Sequence, residues 1–168
     1  AAPHSLDGYV KGDRITNEEL LTLDVDVLLP AALERQQLLI RYAVAYVKER
    51  EVFGVPIGSH QGLAHPLAQS KIEIELARLM TQKAAALYDA GDDAAAGEAA
   101  NMAKYAAAEA ACDAADRAVQ AHGGNGITQE YGVAGLLVAA RAGRIAPVSR
   151  EMILNFVGMH SLGLPKSY

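Results

Sequence analysis

Apolar positions in this chain recur at three- and four-residue steps over long stretches, the spacing of helix faces and not of strands. Over residues 31–51, Leu33, Gln37, Ile40, Val44 and Val47 fall on one stripe. Over about residues 63–90, Ile72, Leu76, Leu79, Met80, Ala84 and Leu87 make an inner face, with Pro66 tolerated in the first turn. A third, alanine-rich helix is predicted over about residues 94–121, and shorter ones near 133–141 and 149–159. Breakers separate them: Gly54, Pro56 and Gly58, then Gly91-Asp92-Asp93, then the glycines of "QAHGGNG" at 120–126. No strand alternation of useful length and no internal repeat occurs. The predicted fold is all-α, an antiparallel helical bundle of three long helices plus shorter C-terminal helices.

The flanks read differently. Residues 1–16 mix Gly, Pro and charges without periodicity and read as a linker or tail. The bundle is expected over 17–161, and 162–168 reads as a C-terminal tail. Thr16 and Glu19 have capping-box spacing. Pro30 either kinks the run that follows them or opens the next helix at a first-turn position.

Composition narrows the function classes. The 168 residues suffice for one domain with a real core, 51% are apolar, only 5% are aromatic, and alanine is over-used, which favours closely packed helices. With 15 basic and 20 acidic residues the net charge is -5, which argues against a nucleic-acid surface built from clustered Lys and Arg. The lone Cys112 can form neither an internal disulfide nor a multi-cysteine metal site, and reads as a small buried hydrophobe. No apolar run reaches the ~20 residues of a membrane span, and no signal peptide opens the chain. A soluble protein of the cytoplasm is expected. The start "AAPHSLDGY" lacks an initiator Met, which fits a fragment, a processed product or a trimmed chain and leaves a natural short subunit open.

The chemistry-bearing residues exclude several mechanisms. A di-metal bundle site needs inward Glu-x-x-His pairs, and none occurs; His60, His65, His122 and His160 are scattered near helix ends, so no metal is expected. There is no Gly-x-Ser-x-Gly elbow and no phosphate-loop lysine. "GGNG" is not G-x-G-x-x-G and follows a helix, not a strand, so a Rossmann reading fails on context. In "REVFGVPIGSHQ" (residues 50–61), Arg50 supplies a planar cationic fork suited to phosphate, Phe53 a face for an adenine or isoalloxazine ring, and Gln61 a donor and an acceptor. By itself this stretch reads more readily as a capped helix end with a surface arginine.

The two motifs together carry more. "YVKEREVFGVPIGSHQ", "AKYAAAEAA" and "ADRAVQAHGGNGITQEYG" occur in the order and approximate spacing of the C-terminal helical domain of acyl-CoA dehydrogenases, over roughly residues 33–157. The chain therefore resembles that domain. The resemblance implies a flavoenzyme in which FAD lies across a subunit interface of a homo- or hetero-oligomer, with an acyl-CoA as substrate. Arg50, Phe53 and Gln61 would touch the cofactor of the neighbouring subunit. Gln120, Gly123 and Gly124, with Gly126 in the same turn, would meet its adenosine and pyrophosphate part. Close backbone N–H donors with no Cβ in the way suit a pyrophosphate.

The chain also departs from the family pattern. Family members remove an α-proton with a carboxylate while a β-hydride passes to the flavin. Counting without gaps from Gln120, the stretch that usually holds this base reads "IAPVSREM", with Pro147 at the base position. Val138-Ala139 replaces the usual Arg-Asp pair, and Glu151 lies roughly one turn beyond Pro147, matching a non-catalytic Glu. Some relatives carry the base on the preceding helix, where the count lands on Asp24, adjacent to Asp26; both also read as exposed carboxylates. The N-terminal helical domain and middle β-domain that the family carries are not represented here.

Two functions are therefore expected. One is the C-terminal domain or small subunit of a flavin-dependent acyl-CoA dehydrogenase-like assembly, inactive alone. The other is a non-catalytic assembly module that keeps the family's interface without flavin.

Overall fold

The computed structural model describes residues 30–166, with side chains from Gln37 onward. Thr16, Glu19, Asp24 and Asp26 lie outside the described residues. Three long helices dominate: α1 (Pro30–Glu49), α2 (Gln61–Asp89) and α3 (Asp93–His122). Two shorter ones follow, α4 (Val133–Ile145) and α5 (Arg150–Phe156), the latter continuing into a wider turn over Val157–Ser161. Pro30 is the first residue of α1, where its missing N–H would have no helical partner anyway. The only strands among the described residues are two of two residues each, Glu51–Val52 and Val55–Pro56, paired antiparallel in a small hairpin.

Alanine sets the architecture. α3 is packed against α1, α2 and α4, and the side chains it buries are mostly alanines, among them Ala103, Ala107, Ala114 and Ala118. Without longer side chains between them, the helices come close. Asp92 caps α3 by accepting from the Ala95 N–H at 3.1 Å. The larger core residues come from the neighbours: Leu39 and Val47 of α1, Leu67 and Ile74 of α2, Val133 of α4 and Ile153 of α5. Each such side chain is worth roughly 1.5–3 kcal/mol on burial.

Two expectations about α2 are corrected. Its inner face is not Ile72, Leu76 and Leu79, which are 61%, 60% and 61% exposed. The buried positions are Leu67, Ser70, Ile74, Ala77 and Ala84. The helix carries two apolar stripes, and the smaller one is buried because Ser70 and Ala77 fit the alanine surface of α3. The helix also begins two residues earlier than its pattern predicts, after His60. Pro66 therefore sits in the second turn, where it cannot donate to the Gly62 carbonyl.

Candidate functional site

At one end of the bundle, the ends of α1 and α3 and the start of α2 present the residues of both motifs. Arg50 follows α1, its N–H bonded to the Tyr46 carbonyl at 2.9 Å, and its own carbonyl accepts from Ile57 N–H at 2.8 Å. The hairpin between them turns on Phe53 and Gly54, both at positive φ (57° and 79°). Two such residues in sequence match the right-handed twist of a tight hairpin. For Phe53 that backbone is strained, and its side chain is 94% exposed. Arg50 and Gln61 are exposed as well. Gly58 lets the segment lie against α1, since a Cβ there would stand 3.0 Å from the Val47 carbonyl oxygen.

The second motif ends α3. Gln120 is exposed. Gly123 takes φ 58°, ψ -136°, a conformation open essentially to glycine alone, and its N–H bonds back to the Gln120 carbonyl. Gly124 is exposed with open space where a Cβ would project. Gly126 is different: it is buried, and a Cβ there would lie 2.5 Å from the Val119 carbonyl oxygen. Its hydrogen atom is what lets the turn fold back on α3. Thus Gly123 and Gly124 offer bare backbone to solvent, and Gly126 serves the turn's own packing.

Between the two motifs stands a cluster that the sequence did not single out. Tyr46 stacks on His122 with centroids 4.3 Å apart, and Tyr131 meets both rings edge-on at 5.8 Å. His122 is buried, with Nδ1 2.7 Å from the Ala118 carbonyl oxygen. Asn125 donates from Nδ2 to the Tyr46 hydroxyl at 3.0 Å. The available signal was Tyr46 one helical turn before Arg50; His122 read only as one more histidine near a helix end. Beside this end an apolar groove of about 610 Å³ runs between α1 and α2, lined by Ile40, Val44 and Pro56 and rimmed by Lys48 and Lys71.

Pro147 is not brought to this end. It is exposed, in the turn between α4 and α5. Lys104 of α3 spans that turn, donating from Nζ to the Gly143 and Val148 carbonyls at 2.6 and 2.7 Å. Glu109 holds its flanks, pairing with Arg144 at 2.9 Å and Arg150 at 3.6 Å. Lys104 lies 18 residues before His122, or ~27 Å along α3 at 1.5 Å per residue. Partial burial pushes the Lys104 ammonium below the ordinary lysine value, opposed by the neighbouring Cys112 and Glu109. Cys112 is buried and donates weakly to the Ala140 carbonyl at 3.4 Å, and burial pushes its thiol up, opposed by Arg144. Near the glycine turn, Glu130 is held below the usual carboxylate range by its own backbone N–H and the Thr128 side chain.

Among the described residues no group of three or more His, Cys, Asp or Glu could hold a metal ion, and no helix is long and apolar enough to cross a membrane. The exposed arginine, aromatic face, amide and bare glycine backbone fit an anionic ligand with an aromatic ring system. A carboxylate to act as base is not among them, and Asp24 lies outside the described residues.

Known proteins resemble this chain in sequence and in fold. The family model described as acyl-CoA dehydrogenase, C-terminal domain, matches residues 28–162. The acyl-CoA dehydrogenase FadE12 of Mycobacterium tuberculosis is 70% identical over 126 residues, covering 75% of this chain and 32% of the relative. The solved butyryl-CoA dehydrogenase from Megasphaera elsdenii superposes with a TM-score of 0.73 at 33% identity, over 78% of this chain and 34% of that one. The FAD complex of PigA superposes with a TM-score of 0.75 at 27% identity, over 79% and 34%. The chain thus spans about a third of the length of these relatives.

Proposed function

The chain belongs to the acyl-CoA dehydrogenase family, matching its C-terminal domain, and from that membership we propose that it serves a flavin-dependent acyl-CoA dehydrogenase assembly as the domain that contacts FAD across a subunit interface. FAD supplies the hydride acceptor that no side chain can provide. Arg50 would neutralise phosphate charge, Phe53 would cover a ring face, and Gln61 and Gln120 would bond polar edges. The Gly123 and Gly124 backbone would approach the pyrophosphate. The observation that carries this reading is the exposed, strained Phe53 and the exposed Arg50, at the bundle end that also carries the open Gly123-Gly124 backbone.

Acid–base chemistry needs a residue other than 147, because proline has no group to accept a proton. The proposed base is Asp24. A partner subunit is also part of this reading, supported by the outward apolar stripe Ile72, Leu76 and Leu79 on α2. Its rim charges are already matched within the chain, with Glu75 paired to Lys71 and Arg78, and Glu73 to Arg117. Residues 17–161 are proposed as the domain, acting in solution in the cytoplasm.

The test is to purify the chain together with polypeptide supplying the remaining two thirds of a FadE12-like enzyme, and record flavin absorbance and acyl-CoA-dependent dye reduction. Stoichiometric flavin and turnover are expected. Pro147 favours one second reading, a non-catalytic assembly module. An oligomer that lacks flavin and reduces no dye with any acyl-CoA establishes that reading instead.

A further inference from the structure

The two halves of the candidate cofactor surface come from distant parts of the chain, and one tyrosine joins them. Tyr46 lies one turn before Arg50, and Arg50 N–H bonds to its carbonyl at 2.9 Å. Its hydroxyl accepts from Asn125, 79 residues away, inside the glycine turn. Its ring stacks on His122, the residue just before that turn, at 4.3 Å and 25° between planes. The His122 ring is itself fixed. A carbonyl can only accept, so Nδ1 must carry the hydrogen in its 2.7 Å contact with the Ala118 oxygen. Tyr131 closes the cluster edge-on. Gly123 and Gly124 therefore lie between two residues, His122 and Asn125, that are both bound to the same side chain of α1.

We propose that Tyr46, His122 and Asn125 are positioning residues that lock the Arg50–Gln61 segment and the Gln120–Gly124 turn into one frame, so that FAD meets both already in register. The proposal rests on the cofactor reading above. None of the three needs to touch the cofactor. His122 is buried, and its contacts are to Tyr46, Tyr131 and the Ala118 carbonyl. Neither glycine has a side chain with which to hold its own turn in place. Without the cluster the two segments would be joined only through the apolar core that Ile57 and Val47 share with Ala118 and Ala121, and binding would carry more of the ordering cost of both. Stacking of this kind is strong enough to matter for local opening but too weak to decide global stability.

Amide hydrogen exchange on the full chain, followed by mass spectrometry, tests this. In Tyr46→Leu, exchange over residues 50–58 and 119–127 should accelerate together, by roughly fivefold to tenfold for the loss of one aromatic stack. Residues 72–80 of α2 should keep their rate. Tyr46→Phe keeps the ring but loses the Asn125 bond, and should restore only part of the protection in both segments. His122→Leu should repeat the Tyr46→Leu pattern, and serves if that variant fails to fold. Acceleration confined to one segment, or an equal rise in all three, overturns the proposal. Adding FAD to the wild-type assembly separates the two claims. Coupled exchange without protection by FAD leaves the frame standing and removes the cofactor reading. Protection of both segments by FAD, with uncoupled exchange in the variants, does the reverse.

Discussion

Single residues at the glycine turn separate geometry from recognition. Gly126→Ala brings a Cβ to within 2.5 Å of a backbone oxygen that cannot move without disturbing the end of α3. It should destabilise the chain by about 1–3 kcal/mol, read as a lower melting temperature. Gly124→Val meets open space. It should leave the melting temperature nearly unchanged and lower flavin occupancy in the assembly; full occupancy would refute the pyrophosphate role of that backbone. Asp24→Asn in the assembly should abolish turnover with FAD still bound. Unchanged turnover removes Asp24 as the base. These positions were legible to different degrees. The motif spelled out all three glycines alike, and a one-dimensional string cannot distinguish the glycine facing solvent from the one facing Val119.

At the scale of elements, side chains of α3 hold its neighbours. Arg117 bonds Glu73 at 2.6 Å and Ser70 at 2.9 Å, joining α2 to α3 at partly buried positions. Glu73→Ala leaves the guanidinium without its main partner. A loss of about 1–2 kcal/mol is expected in denaturant unfolding, less than for a fully buried pair because both groups see water. Lys104 holds the α4–α5 turn, and its lowered value gives stability a direction with pH. In the window between its folded value and the ordinary lysine value, the unfolded chain binds more protons than the folded one. Stability from this group therefore rises as pH rises through that window. Lys104→Met should remove this alkaline rise, seen by comparing chemical unfolding of variant and wild type across the alkaline range. The helices themselves followed the apolar periodicity closely, with α3 predicted over 94–121 and found over Asp93–His122. The short hairpin was not legible, because two residues per strand leave no alternation to detect.

The whole molecule leaves one question to its surroundings: what covers the outward face of α2. Ile72, Leu76 and Leu79 form a stripe without a partner among the described residues. Exchanging Leu76 and Leu79 for glutamate should abolish self-association in light scattering while leaving helicity and melting temperature nearly unchanged, since neither side chain is in the core. A monomeric wild type, or an unchanged oligomer in the double variant, removes this face as the interface. The inner-face expectation for α2 held at Ala84 and failed at Ile72, Leu76 and Leu79, for the same reason that makes this prediction possible. Hydrophobic spacing reports that a face is apolar, and both a core and an interface satisfy that condition.

The sequence by itself determined the helical class, the places where helices stop, and the family resemblance. These depend on local propensity, on glycine and proline, and on motifs read along the chain. Only the tertiary structure decided which stripe of α2 is buried, because that depends on the alanine surface it meets. It also decided that Gly126 packs while Gly124 is open, and that Tyr46 binds His122 and Asn125 across the bundle. Each of these is a contact between residues far apart in the chain, set by how the helices pack and not by the local order of residues.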